Sequence, residues 1–144
     1  MKLLLRSTPS ASATWAQRQF AALTRWRLAS DFCHGGIDVG GRLYHTNLAH
    51  GLSTDSYDPT KWLRIDLGPA ADDRVLRLYA AMQGAPYDVL GVLGFGLPVR
   101  GSASKLYCFE WCAACLLMVP ERWMTPEKLI AQALRLGGRM EDPA

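Results

Sequence analysis

The chain has 144 residues, a length that one domain fills, and 49% of them are apolar, enough for a real core. Its net charge is only +3, and the basic residues are scattered, so nucleic acid finds no basic run to bind. No stretch approaches the roughly 18 apolar residues of a membrane span, and the three leucines between Lys2 and Arg6 are too few for a signal peptide. The reading is a single domain over 1–144, cytoplasmic as synthesised.

Residues 1–6 read as a short strand, and the small polar stretch 7–13 (STPSASA) reads as a loop. Trp15, Phe20, Leu23 and Trp26 recur at helical spacing, which predicts a helix over 15–28. A strand over 32–39 runs into Gly40-Gly41, and 42–46 follows as its partner, because a two-residue Gly-Gly turn signals a hairpin. Residues 47–60 read as loop. KWLRIDL (61–67) alternates Trp62, Arg64 and Asp66 against Leu63, Ile65 and Leu67, a strand pattern that Gly68-Pro69 stops.

Asp72 and Asp73 open a helix over 72–83, with Val75, Leu76, Tyr79 and Met82 as its apolar face. Asp88 suits the N-cap of a short helix over 89–95, and 96–104 is a loop of Gly, Pro and Ser. A strongly apolar helix is predicted over 107–118. Thr125 and Pro126 open a last helix over 126–136, closed by Gly137-Gly138. Trp15, Trp26, Trp111 and Trp123 are assigned mostly to the core. The sum is an α+β fold, a small antiparallel sheet with helices packed on it.

KLYCFEWCAACLLMVPE (105–121) holds three of the four cysteines. Cys108, Cys112 and Cys115 share one helix face, at a spacing that disfavours disulfides among them. Four cysteines in a chain of this size do not make a disulfide framework. A cysteine in an apolar helix is most often a small core residue. Cys108 differs by position: it follows a loop at the start of its helix, where the positive end of the dipole favours a thiolate. Cys112 and Cys115 lie deeper and are expected to be dry and inert.

A cysteine nucleophile needs a base, and the chain has three histidines: His34, His45 and His50. A regular Gly40-Gly41 hairpin pairs Val39 with Arg42, Asp38 with Leu43, Ile37 with Tyr44 and Gly36 with His45. His45 then lies diagonally beside His34, and two neighbouring imidazoles can act as a base and its orienting partner. A pair of surface-strand histidines fits the same spacing. Cys33-His34 with one helix cysteine is the competing zinc arrangement, but no C-x(2–4)-C knuckle supports it. No G-x-S-x-G motif and no phosphate-binding glycine loop occurs, and the residues ask for no cofactor.

The motifs run CHGGIDVGG, RLYHTNLAHG, KWLRIDL, a helix, PYDVLGVLGF, YCFE and TPEKL. In this order they resemble the circularly permuted NlpC-type papain-like hydrolases of the YiiX-like group, over about residues 30–136. The resemblance implies a permuted papain-like fold and a thiol hydrolase of amide bonds, acting on peptide stems of the bacterial cell wall or on lipid-linked amides. It implies Cys108 as nucleophile, His34 as base, His45 as third polar residue with Asn47 and His50 as fallbacks, and Tyr87 near the oxyanion. Tyr87 reads equally as plain core. Glu110 matches a glutamate with a structural role. Cys33 and Phe109 depart from the family, which carries Ser before its histidine and Ser after its nucleophile. The expected partners are a peptide or amide substrate and, if the chain is phage or prophage encoded, tail or other assembly proteins. A non-catalytic interaction module on the same fold is the alternative.

Overall fold

The computed structural model describes residues 1–89, 105–119 and 124–142. They form an α+β domain in which a six-stranded antiparallel sheet carries α-helices. The strands are β1 (Lys2–Arg6), β2 (His34–Val39), β3 (Arg42–Asn47), β4 (Gly51–Asp55), β5 (Leu63–Asp66) and β6 (Arg139–Met140). Their order is β4-β3-β2-β1-β5-β6, so the N-terminal strand sits in the middle. The helices are α1 (Trp15–Leu28), α2 (Asp72–Met82), α3 (Cys108–Cys115) and α4 (Pro126–Arg135).

The leucine run that opens the chain is central because both of its faces find partners. Leu3 is paired with Ile37 on one side and Ile65 on the other, and together with Leu5 it joins the main core. Trp111, Phe109, Cys112 and Leu129 meet them from the helices, and Met124 from just ahead of α4. Leu4 points the opposite way, to a smaller cluster with Leu43 and Trp62. Burying each of these leucines contributes about 1.5–3 kcal/mol.

The hairpin between β2 and β3 has the expected register: Val39 with Arg42, Asp38 with Leu43 and Ile37 with Tyr44. Gly40 and Gly41 take φ of 61° and 82°, the left-handed pair that a two-residue hairpin turn requires. Helix α1 starts on the Thr14 cap with Gln17 reaching back to the Thr14 amide. Thr125 caps α4, with Pro126 in its first turn.

Several expectations need correction. The stretch read as loop over 47–60 contains β4 and a 3-10 turn at Pro59–Lys61, and the sheet gains β6 at its far edge. Helix α3 ends at Cys115, short of Met118: Leu117 turns left-handed at φ 58° and the Met118 amide bonds back to the Ala113 carbonyl, a Schellman-type closure. On α2, Leu76 is exposed, while Val75, Leu78, Tyr79 and Met82 pack on the core. Trp15 and Trp26 are 76% and 71% exposed, so of the tryptophans assigned to the core Trp111 is the one placed there. The expected helix beyond Val89, the loop over 96–104 and Trp123 lie outside the described residues. No helix among the described residues is long and apolar enough to cross a membrane.

Candidate active site

Two consecutive glycines let two layers close on β2. A side chain at Gly35 would meet the Phe109 ring at 2.9 Å and Cys112 Sγ at 3.2 Å, so glycine here lets α3 lie against the strand. A side chain at Gly36 would meet Leu43 at 2.4 Å and His45 Cβ at 3.2 Å. Residues alternate across a strand. Gly35 therefore faces the helix, while His34 and Gly36 face the other side with His45.

On that second side the two histidines meet. His34 Nε2 lies 2.7 Å from His45 Nδ1, and His45 Nε2 lies 2.7 Å from Asp55 Oδ2. Asp55 ends β4, a strand paired with β3. A carboxylate only accepts, so His45 Nε2 carries the proton and donates it. A neutral His45 then accepts at Nδ1, and His34 Nε2–H donates to it. By this chain Asp55 leaves His34 with its lone pair on Nδ1, the state a general base needs.

Both rings rest neutral. Burial, His45 and Arg6 push the His34 pKa well down. Burial lowers His45 too, against the opposing pull of Asp55.

Cys108 is the first residue of α3 and is 1% exposed. The amides of Gly35 and Phe109 and the Tyr87 hydroxyl hydrogen-bond its sulfur and favour the thiolate, but burial outweighs them and pushes the thiol up to about 12. The helix-start argument alone points the other way. Desolvation wins because the thiol lies inside the core, and the resting pair is a neutral thiol and a neutral imidazole. The Gly35 nitrogen that bonds the sulfur belongs to the peptide joining His34 to Gly35, so the thiol lies against the His34 backbone. Among the described residues no hydrogen bond runs from the thiol to the His34 ring, whose bond goes to His45.

Tyr87 is positioned from two sides. The segment around it pairs with Leu106 just ahead of α3, with Asp88 N–H to Leu106 O at 3.1 Å and Leu106 N–H to Pro86 O at 3.2 Å. From the other side the Phe20 ring on α1 meets it edge-on at 6.0 Å. Burial keeps the hydroxyl protonated, hence a donor.

Asn47 and His50 hold other posts. Asn47 accepts the amides of Ala49 and His50 and donates to Ser53, which fixes the turn into β4. His50 is exposed. Glu110 accepts from the Tyr107 amide at 3.1 Å and so caps α3 from within; burial raises its pKa to about 7. Cys112 and Cys115 are fully buried and their thiols are pushed up. Cys33 Sγ donates to the Arg6 carbonyl at 3.4 Å. Among the described residues no three His, Cys, Asp or Glu side chains cluster as a metal site.

A cavity of about 610 Å³ opens over the histidines, with Arg6, His34, His45, Trp62 and Tyr87 in its wall. Asp55 and Arg6 are the site residues that sequence reasoning passed over. The signal for Asp55 was faint: GLSTD has one large apolar residue, and only Leu52 and Thr54 on the core side against Ser53 and Asp55 betray a strand. No protein-family model matches the chain, and no curated protein does.

Proposed function

We propose that this chain is a cysteine hydrolase of amide bonds on a permuted papain-like fold, with peptide stems of the bacterial cell wall as its substrates. The observation that carries the reading is the chain Asp55–His45–His34, ending beside the peptide that hydrogen-bonds the Cys108 thiol.

His34 Nδ1 takes the thiol proton as Sγ attacks the substrate carbonyl. The oxyanion of the tetrahedral adduct is met by the Tyr87 hydroxyl and by the Cys108 amide in the first turn of α3. His34 Nδ1–H then gives its proton to the leaving nitrogen, the C–N bond breaks, and a thioester remains. Water attacks the thioester as His34 takes its proton. The C–S bond breaks, the acid leaves and the proton returns to sulfur. His45 and Asp55 hold the His34 tautomer throughout and position it without touching substrate.

Muropeptide fragments incubated with the full chain and with Cys108→Ala test this. The expected result is a mass increase of one water across one amide, absent in the variant. Equal cleavage by both proteins overturns the nucleophile assignment. The alternative, a non-catalytic interaction module, draws on the closed resting site, with Cys108 buried and its thiol protonated. It is the better reading if neither protein cleaves and Cys108 stays inert to alkylation.

A further inference from the structure

The cavity over the histidines contains a cation, Arg6, that no carboxylate among the described residues pairs with. Arg6 ends β1 directly opposite His34. Its guanidinium lies over the Trp62 ring, with Cζ 4.8 Å from the centroid, and the His34 ring lies 5.9 Å from the same ring. Stacking of this kind uses the flat face of the guanidinium and leaves its in-plane N–H donors unspent. Nε is buried and has no hydrogen-bond partner. Among the described residues no carboxylate pairs with Arg6. Of the other charged residues of the cavity wall, Lys61 pairs with Asp58 at 3.0 Å, and Asp55 accepts from the neutral His45 at 2.7 Å rather than from Arg6.

A half-buried guanidinium whose buried Nε donor stands idle is costly unless an acceptor meets it. The planar fork of the guanidinium fits a carboxylate. We infer that Arg6 is the anchor for a free carboxylate of the ligand, seated between Trp62 and the His34 side of the cavity. On opposite strands, Arg6 and His34 stand about 5 Å apart at Cα. The carboxylate therefore sits within one or two residues' length of a carbonyl presented to His34 and Cys108. That last placement rests on the hydrolase reading, whereas the anion site itself does not.

The probes are acetyl-alanyl-glutamate amide and its neutral glutamine counterpart, titrated into the full-length Cys108→Ala chain. Binding is read by calorimetry and by the Arg6 Nε–Hε resonance. A charge-assisted pair predicts about ten- to a hundredfold tighter binding of the glutamate peptide, with the Nε–Hε signal moving downfield. Arg6→Met should abolish the preference, bringing the glutamate peptide down to the affinity of the glutamine peptide. Equal binding of the two peptides overturns the inference, as does a preference that survives Arg6→Met. If Arg6→Met fails to fold, the resonance decides, and a signal unmoved at saturating glutamate peptide overturns it. Inorganic phosphate binding more tightly than the glutamate peptide would reassign the site to phosphate. Intact binding with no cleavage by the unsubstituted chain would remove the hydrolase reading and leave the anion site standing.

Discussion

Removing the Asp55 carboxylate should undo the proton order of the histidine chain. The His45–Asp55 contact is a hydrogen bond of 2.7 Å to a charged acceptor, with the Asp55 side chain 56% exposed. Such a bond contributes about 1–2 kcal/mol once solvent screening is allowed for. In Asp55→Ala the pull that opposes burial at His45 disappears, so His45 gives up its proton at lower pH than in the wild type. Nothing then selects Nε2 over Nδ1 as its protonated nitrogen, and His34 loses its fixed acceptor. The assay is nitrogen-15 NMR of the imidazole rings, which separates the two tautomers without any substrate. In the wild type near pH 7 both rings should carry hydrogen on Nε2. In Asp55→Ala the His45 signals should move towards a tautomer mixture, and those of His34 should follow. A wild-type His34 protonated at Nδ1 would refute the reasoning, as would Asp55→Ala ring signals identical to the wild type.

Gly35→Ala forces a methyl to within 2.9 Å of the Phe109 ring; it should cost about 1–3 kcal/mol and lower the thermal midpoint by several degrees, read by circular dichroism. Glu110 has a folded-state pKa raised to about 7 by burial, so the native state holds its proton over a range where the unfolded chain has lost it. Stability should therefore fall from about pH 4.5 to 7, and Glu110→Gln should flatten that slope in urea titrations at successive pH values. His34 is shifted the other way, so its contribution is present above the ordinary histidine pKa of about 6.5 and is lost as pH falls through the lowered folded value; His34→Asn should remove that acid-side loss in the same titrations. His50→Ala should leave the ring signals of His34 and His45 unmoved, since His50 takes no part in their chain.

What the sequence made legible was local and strongly patterned. The Gly40-Gly41 turn determined the register of β2 and β3, and that register brings His45 to His34. The ladder stops at Ile37 and Tyr44, where the Tyr44 carbonyl accepts the Trp111 indole N–H at 2.9 Å. The rings still meet, because Gly36 has no side chain to keep His45 away. Asp55 was illegible because an edge strand as polar as GLSTD has the composition of a loop. Trp15 and Trp26 looked like core because their spacing is helical, yet α1 buries only Ala21, Thr24 and Leu28. The acidity of Cys108 was misjudged for a related reason: a helix dipole can be read from position, whereas desolvation depends on the surrounding fold.

The most direct test of the Cys108–His34 pair is the iodoacetamide alkylation rate of each cysteine against pH, resolved by mass spectrometry, in the wild type and in His34→Ala. The account predicts that Cys108 reacts faster than Cys112 and Cys115, that its rate rises as His34 sheds its proton below the ordinary histidine pKa of about 6.5, and that His34→Ala removes the advantage. A Cys108 as slow as its two buried neighbours in both proteins, or equally fast in both, would contradict it.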